Sequence, residues 1–471
     1  MLPKDNFYNL ILSYKLPISR GKQPVKLFLK QYFEQYIKSF KNTLIRTEEC
    51  DLDEECYTYI ASKLPILEQL CVDILKTYEY YDSGEMVKMY NHFSEMMNRI
   101  EPLLSVKNIG NVGYESFRAY YRIRAGKESY SRKDLFHIPM DMRHLIKSYR
   151  YSIPGYPCLY LASGKELCWF ECGMPKEFCY AGFVLDIEDD KKVKIIDFSM
   201  LPIDVAWAIY LENINHKENR KYTYEFLEKY LLLLPLKAAC SMKVSNRDVA
   251  FVEEYIFPQQ LLLWVRENGK YDGIAYRTSS SIEKSKEWNY INLVLPAKKI
   301  ENGYCSHLNS ILKVSKPVKV KISSFMEKYD KQIGDVKEFA EYLENEGLHG
   351  SFFYPYREII SICKTFIKLC EMLANENYID AEAIYQTMET LNLAIGLVND
   401  NIDSVINKSI AEAKKLYSNK DDEFLRKEIK EIMDYFFSKV KPTVFDMSDY
   451  YFKVFCDYPL DFNSYEKIMV E

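Results

Sequence analysis

Apolar residues recur every three or four positions at both ends of the chain, which is the spacing of an amphipathic helix. The pattern predicts one helical domain over residues 1–105 and a second over residues 320–471. The predicted helices of the first domain are Val25 to Phe40, Tyr57 to Tyr78 and Gly84 to Leu104. Those of the second are Ser323 to Glu346, Arg357 to Ala374, Asp380 to Val398, Asp403 to Leu416 and Asp422 to Val440.

Between these helical regions, short apolar stretches bounded by turn residues predict β-strands. The predicted strands are Phe117 to Ile123, Cys158 to Ala162, Tyr180 to Ile187, Val193 to Phe198, Asp272 to Tyr276 and Ile291 to Leu295. Because only a short charged turn separates the third and fourth of them, we expect these two strands to be adjacent. Beyond Asn302 the strand signals stop.

Other local patterns complete the prediction of an α+β protein. The Asn and Gly residues between Val106 and Gly113 indicate a linker. Residues 204–244 have the pattern of a helical insertion, and a helix from Gln259 to Glu267 is expected to end at Gly269. The fold class is therefore a central mixed β domain over residues 114–300, flanked by amino-terminal and carboxy-terminal all-α domains.

One stretch within the β domain combines a loop, a strand and a helix. The spacing of Ser163 and Glu166 is that of a capping box, which predicts a helix that begins there. On that helix Glu171 shares one face with the apolar residues Leu167 and Phe170. A carboxylate on an inward face is destabilising unless it is paired, so Glu171 is either part of a structural salt bridge or a functional acid.

Composition and charge narrow the function classes. The chain of 471 residues is 48% hydrophobic with a formal net charge of -5, so we expect neither nucleic acid nor a membrane as a partner. No apolar run approaches a spanning helix or a signal peptide, which predicts a soluble cytoplasmic protein whose 12 cysteines are reduced. Cys168, Cys172 and Cys179 do not have zinc-site spacing, and no metal is expected.

Well-known catalytic motifs are missing from the chain. It contains no GxGxxG, P-loop, HExxH or GxSxG sequence, which removes the main support for several enzyme classes. The segment RKDLFH places Arg132 and His137 at the Arg-x4-His spacing of HEPN ribonucleases, in which the pair must lie on a long helix. The alternative is that His137 is a loop or core residue.

A second group of polar residues is spread over the β domain. Arginines at or near strand ends can hold phosphates, tyrosine rings can stack on a planar base, and a desolvated glutamate can stabilise a cationic sugar transition state. The residues of this kind are Arg122, Arg150, Tyr151, Tyr160, Glu171 and the hydroxyl cluster Thr278 to Ser281. Together they suit a ribose-phosphate ligand.

Several of these segments resemble the RES domain, a family named for its Arg, Glu and Ser. The resemblance rests on YYRIR around Arg122, on RYSIPGYPCLYLAS from Arg150, on Glu171, and on DGIAYRTSS with the NLVL strand that follows. RES domains are similar in fold to ADP-ribosyltransferases, and known members are toxins that destroy NAD. Some are joined to an amino-terminal HEPN-like helical domain, and the helical region over residues 1–105 is similar.

The resemblance implies a role for each matching residue. Arg122 and Arg150 would grip the pyrophosphate of NAD, Tyr160 would orient the nicotinamide ribose, and Glu171 would stabilise the charge at its anomeric carbon. The family serine is expected at Ser279, with Thr278 and Ser280 as alternatives, because Arg277 and Thr278 follow Tyr276 where many members have a proline. Tyr151 and Ser152 replace the usual Asn or Trp-Asn after the loop arginine, and Tyr151 and Thr278 are further candidate NAD contacts.

The expected activity is therefore cleavage of the nicotinamide–ribose bond of NAD by phosphorolysis or hydrolysis, in a toxin or antiphage effector that arrests growth. Two alternatives stay open: ADP-ribosyl transfer to a protein or nucleic acid, and an inactive RES scaffold that binds a partner. The helical flanks would bind an antitoxin, a phage component or a second copy of the chain.

Overall fold

The structure is a computed structural model that carries side chains. It describes residues 5–45, 51–109, 119–187, 192–215, 220–244, 249–278, 291–322, 327, 329–345, 354–374, 381–400, 411, 422–448, 459–461 and 463–468. Within these ranges the protein is α+β, with a mixed central sheet between two groups of helices. No helix in the same ranges combines the length and the apolar character needed to cross a membrane.

Five helices form the amino-terminal region. They are α1 (Asn6–Ser13), α2 (Val25–Thr43), α3 (Glu54–Ala61), α4 (Leu64–Asp82) and α5 (Met86–Ile100). Asp5 and Asp53 cap α1 and α3, each accepting a hydrogen bond from a first-turn backbone N–H. The helix predicted over Tyr57 to Tyr78 is in fact two, because Pro65 suits the first turn of a new helix but not a helix interior.

The central sheet contains nine strands among the described residues. They are β1 (Val106–Ile109), β2 (Tyr120–Ala125), β3 (Cys158–Ala162), β4 (Glu177–Leu185), β5 (Val193–Asp197), β6 (Gly273–Tyr276), β7 (Asn292–Pro296), β10 (Leu312–Val314) and β11 (Val318–Lys321). Their order is β1-β5-β6-β7-β3-β2-β4-β10, with β11 also paired to β4. Of these pairs only β5 with β6 is parallel. A separate hairpin joins β8 (Ile300–Glu301) to β9 (Tyr304–Cys305).

Three predictions about the sheet were wrong. Strand β1 occupies the predicted linker, where it pairs in antiparallel fashion with β5. Strands β10 and β11 lie beyond Asn302, where no further strand was expected. Strands β4 and β5 follow each other along the chain but are separated by four other strands in the sheet. The order depends on long-range pairing, which a turn between two sequence neighbours does not determine.

The predicted insertion forms two helices, and a third helix follows it. The insertion forms α7 (Pro202–Asn215) and α8 (Arg220–Cys240), the third helix is α9 (Ile256–Asn268), and α6 (Lys165–Glu171) precedes all three in the central region. Helix α9 ends at Gly269, whose φ of 71° is the left-handed conformation that glycine adopts easily, as predicted. The carboxy-terminal half of α8 is buried on all sides, and one continuous core joins α8 and α9 to the amino-terminal helices and one face of the sheet.

The carboxy-terminal helices pack on another part of the sheet. After α10 (Ser306–Ile311) come α11 (Asp330–Asn345), α12 (Tyr354–Ala374), α13 (Ala381–Asp400), α14 (Asp422–Tyr435) and α15 (Lys441–Ser448). Their core includes Phe170 of α6, Ile123 of β2 and Phe178 of β4. The predicted helix from Asp403 to Leu416 lies outside the described residues except at position 411. Helix α6 is thus held between the sheet and the carboxy-terminal helices.

Candidate functional site

Helix α6 begins one residue later than the capping box predicts. Gly164, with extended backbone angles, is the residue before the first helical turn, and no side chain caps it. The Ser163 hydroxyl instead accepts a hydrogen bond from the backbone N–H of Ile291 at 2.9 Å, and the Ser163 N–H donates to the Ile291 carbonyl. Ser163 therefore fastens the end of β3 to the start of β7, where α6 also begins.

Glu171 is the last residue of α6 and is half-buried. Its carboxylate accepts a hydrogen bond from the side-chain amide of Asn292 at 3.2 Å. Asn292 is the first residue of β7, 6% exposed, and pairs with both β3 and β6. Within the described ranges no cation lies within ion-pair distance of Glu171. Among the described residues, the Glu171 carboxylate is therefore stabilised by partial exposure to solvent and by a hydrogen bond from an amide, and not by a salt bridge.

Arg122 lies where β2 and β3 separate. The two strands share one residue pair, Tyr121 with Ala162, whereas β2 pairs with β4 over six residues. The Arg122 guanidinium donates to the carbonyl oxygen of Tyr160 at 3.3 Å, in place of a strand N–H. Loss of hydration lowers the pKa of Arg122. No carboxylate among the described residues lies within ion-pair distance of it, so its charge is available to an anion.

Arg122 and Glu171 belong to the same region of the sheet, because Arg122 binds Tyr160 of β3 and Glu171 binds Asn292, the pairing partner of Ala162 in β3. A hydrogen bond from the Cys168 thiol lowers the pKa of Cys172, and the charge of Arg122 lowers it further, whereas the charge of Glu171 opposes the shift. The Cys172 sulfur also donates a weak hydrogen bond to the carbonyl of Ile123 in β2. We call the group formed by Arg122, Glu171 and Asn292 the acid–arginine cleft.

Tyr160 is partly buried beside this cleft. Its hydroxyl shares a hydrogen bond of 2.6 Å with the Ser152 hydroxyl, and the ring of Tyr149 meets its ring edge-on at 6.0 Å. Burial raises the pKa of the Tyr160 hydroxyl, with a smaller contribution from Tyr276. The Tyr276 ring lies 4.6 Å from that of Tyr151. These tyrosines form an aromatic wall on one side of the sheet.

The remaining predicted residues lie at a second cavity, of about 250 Å³. Arg150, Tyr151 and Thr278 line it, whereas Arg122, Tyr160 and Glu171 are not among the described residues that do. Ser279 and Ser280, two of the three candidates for the family serine, lie outside the described residues. The structure therefore divides the predicted site residues between two places.

Arg150 turns its guanidinium toward the end of helix α8. Its two terminal nitrogens donate to the carbonyl oxygens of Cys240 at 3.0 Å and Met242 at 2.8 Å. Cations at this position stabilise a helix because the last carbonyls carry partial negative charge. In this structure Arg150 fastens the predicted loop to α8, and its role as a pyrophosphate ligand stays a prediction.

Arg132 and His137 do not lie on the long helix that an HEPN ribonuclease needs. A three-residue turn of 3-10 helix, Lys133–Leu135, separates them. The His137 Nε2 accepts from the backbone N–H of Cys305 at 2.8 Å and its Nδ1 contacts the carbonyl of Ile138 at 2.9 Å, while burial lowers its pKa to about 4. Arg132 pairs with Glu466 at 3.0 Å. The alternative, that His137 is a core residue, is confirmed.

Two polar residues of these sites were missed at the sequence level. Asn292 opens an otherwise apolar strand, and Lys237 lies in the apolar run that ends helix α8. A single polar residue in a buried run was the available signal in both cases. No cluster of three metal-binding side chains occurs among the described residues.

Comparisons with known proteins identify a relative of this chain. No protein-family model matches the chain, and no solved structure matches it. The chain is similar to a Bacillus subtilis (strain 168) protein named "Putative toxin YopC", with 31% identity over 314 residues. The match covers 64% of this chain and 68% of the relative. At this identity and coverage, the chain belongs to the same protein family as that Bacillus subtilis protein.

Proposed function

We propose that this protein is a toxin that consumes NAD by cleaving its nicotinamide–ribose bond. The toxin role follows from the name of the Bacillus subtilis relative, and the NAD chemistry from the resemblance of the Arg122, Tyr160 and Glu171 segments to RES domains. The observation that carries the proposal is the acid–arginine cleft, in which an oriented carboxylate and a guanidinium that no described carboxylate neutralises lie in the same region of the sheet.

The chemistry needs both charges. In NAD the nicotinamide nitrogen is already positively charged, so the ring leaves as a neutral molecule when the bond to the ribose carbon breaks. Positive charge then develops on the ribose, and a fixed carboxylate such as Glu171 stabilises it. A guanidinium such as Arg122 binds pyrophosphate oxygens through paired, charge-assisted hydrogen bonds. Asn292 would hold the Glu171 carboxylate in one orientation and is therefore a positioning residue.

The acceptor completes the reaction. Water gives ADP-ribose, nicotinamide and a proton, whereas inorganic phosphate gives ADP-ribose phosphate and nicotinamide. In both cases the electrons of the broken carbon–nitrogen bond leave with nicotinamide, and an acceptor oxygen forms the new bond to carbon. No redox step is involved.

The test is nicotinamide release from NAD by the purified full chain, with and without phosphate. The wild type is expected to release nicotinamide, and Glu171→Gln to do so about 100- to 1,000-fold more slowly, because it loses the stabilising charge. Glu177→Gln, a half-buried glutamate at the start of β4, is the matched control and should keep full activity. Circular dichroism verifies that each variant is folded.

The outcomes separate the alternatives. No loss of NAD in either buffer would overturn the proposal. Label from NAD that stays attached to a protein or nucleic acid would replace it with ADP-ribosyl transfer. Expression in cells should deplete NAD and arrest growth for the wild type and for Glu177→Gln, but not for Glu171→Gln.

A further inference from the structure

The second cavity has a strongly cationic lining. Four of its described lining residues, Lys15, Arg150, Lys237 and Arg277, are cationic, and none of them is acidic. It lies where the parallel strands β5 and β6 end, the edge of a sheet at which ligands of α/β proteins usually bind. We call it the β5–β6 cavity.

Lys237 is the most unusual of these groups. The residue is 3% exposed, and its ammonium group has no hydrogen-bond partner in the structure. It lies 4.8 Å from the centre of the Tyr230 ring and in the last turn of α8, and both interactions favour a cation only modestly. A buried ammonium group without an acceptor is strongly destabilising, so proteins usually provide it with an anion.

The nearby carboxylates are bound to other groups. Asp197 pairs with Lys107 at 2.8 Å and also accepts from the backbone N–H of Ser199 at 2.8 Å. Asp204 accepts from the backbone N–H of Leu201 at 2.6 Å. Both acids attract Lys237 through space, but neither forms an ion pair with it. The anion that would satisfy the Lys237 ammonium group must therefore come from outside the described chain.

Other polar groups point to the same kind of ligand. The Ser241 hydroxyl also lines the cavity, is buried and has no hydrogen-bond partner. Tyr151, Phe198 and Tyr276 supply flat apolar walls, and Thr278 supplies a second hydroxyl. A volume of about 250 Å³ suits a small molecule. Phosphate esters match a lysine, an arginine and hydroxyl donors in one site.

We propose that the β5–β6 cavity binds a small phosphate-bearing compound, about the size of a nucleoside monophosphate, at a site separate from the acid–arginine cleft. Its lining comes from four regions: the α1–α2 connection, the loop with Arg150 and Tyr151, helix α8 and the ends of the two strands. The ligand would therefore hold the amino-terminal helices and the insertion against the sheet. Arg150, Tyr151 and the residues from Tyr276 to Thr278 lie in segments on which the RES resemblance rests. Lys15, Lys237 and Ser241 do not, and the two unpartnered groups that carry this inference, Lys237 and Ser241, are among them.

The test measures binding to the full chain by isothermal titration calorimetry. The probes are adenosine monophosphate and inorganic phosphate, with adenosine as the uncharged control. We expect both phosphate probes to bind the wild type and adenosine not to bind. Lys237→Met should weaken binding about 10- to 100-fold, which corresponds to losing one hydrogen bond to a charged group.

Matched variants identify the site. Lys221→Met removes an exposed lysine from the same helix and should leave affinity unchanged. Ser241→Ala gives a second test within the cavity and should weaken binding by a smaller factor. Lys237→Met should be folded and at least as heat-stable as the wild type without ligand, because it removes an unpaired buried charge.

Three results would overturn the inference. They are a wild type that binds neither phosphate probe, unchanged affinity in both Lys237→Met and Ser241→Ala, and equal loss of binding in Glu171→Gln, which would place the probe in the acid–arginine cleft. The test does not depend on the proposed function, because binding in the Glu171→Gln variant is measured without turnover.

Discussion

The acid–arginine cleft and the β5–β6 cavity lie on the same sheet but place charge in opposite ways. In the cleft an arginine and a glutamate lie in the same region of the sheet, both partly buried and each hydrogen-bonded to a neutral group. The cavity has four cationic residues in its described lining, no acid among them, and a lysine without a hydrogen-bond partner.

The two arrangements of charge suit different roles, one in catalysis and the other in ligand binding. A carboxylate beside a cation stabilises positive charge that develops during a reaction and at the same time binds a negatively charged substrate. A cavity with cations alone would oppose such a reaction and would instead hold a stable anion. The geometry therefore favours the cleft as the reaction site and the cavity as the site of a ligand that is not changed.

The largest expected effect comes from Arg122. Arg122→Gln keeps a donor for the Tyr160 carbonyl but removes the charge, and we expect the kcat/KM for NAD to fall about 1,000-fold. Arg124→Gln is the matched control on the same strand, since Arg124 is exposed and pairs with Asp134 at 3.6 Å. Steady-state kinetics of nicotinamide release give the measurement.

Lys237→Met, assayed beside these variants in phosphate-free buffer, should keep the kcat/KM for NAD within about threefold of the wild type, because it leaves both charges of the cleft in place. A loss as large as that of Arg122→Gln would show that NAD occupies the cavity. The two sites would then be one.

The second prediction concerns how Lys237, in the β5–β6 cavity, makes the free energy of unfolding depend on pH. Burial lowers the pKa of Lys237 to about 8 from the ordinary lysine value of 10.5, although Asp197 and Asp204 raise it and Lys107 lowers it slightly. Between pH 8 and 10.5 the unfolded chain binds more protons at this group than the folded chain, so stability relative to Lys237→Met should rise with pH. Over this pH range the free energy of unfolding, relative to that of Lys237→Met, should increase by roughly 3 kcal/mol.

Denaturant unfolding of both proteins at pH 7 and at pH 10 measures this difference, and titrations common to both cancel. With adenosine monophosphate present, the anion stabilises the charged ammonium group and the gain should largely disappear. If the difference in unfolding free energy between the wild type and Lys237→Met did not change with pH, the pKa of Lys237 would be the same in the folded and unfolded chains. The cavity would then contain no destabilised charge, and its contrast with the acid–arginine cleft would be lost.

The two sites also differ in how far the sequence could predict them. Arg122 and Glu171 belong to local segments that resemble a known family, so their neighbourhood could be expected although the sheet order could not. The β5–β6 cavity depends on long-range placement, since the insertion helix α8 brings Lys237 to the strand ends. The apolar run around Lys237 predicted a buried helix, but not which strands it would cover.

The fold shows the same limit: elements set by local signals could be predicted from the sequence, whereas elements that depend on long-range pairing could not. Helix α9 and its end at Gly269 follow from local signals, and the structure confirms them. Strand β1 was missed because its two middle residues, Lys107 and Asn108, are exposed and polar, and only the pairing with β5 makes it a strand. Arg150 was assigned to a phosphate because its loop matches the family, whereas its hydrogen bonds to α8 depend on the insertion.

The smallest predicted effect tests the positioning role of Asn292. Asn292→Ala removes the hydrogen bond to Glu171, so the carboxylate samples more orientations, and we expect kcat to fall about tenfold with the KM for NAD nearly unchanged. Asn292→Asp should also move the acid limb of the kcat–pH profile to higher pH, because two adjacent carboxylates resist simultaneous ionisation. Asn108→Ala, at an exposed position of β1, is the control. A raised KM with unchanged kcat would instead make Asn292 a substrate-binding residue, and the cleft would then contain one more ligand contact and a freely rotating acid.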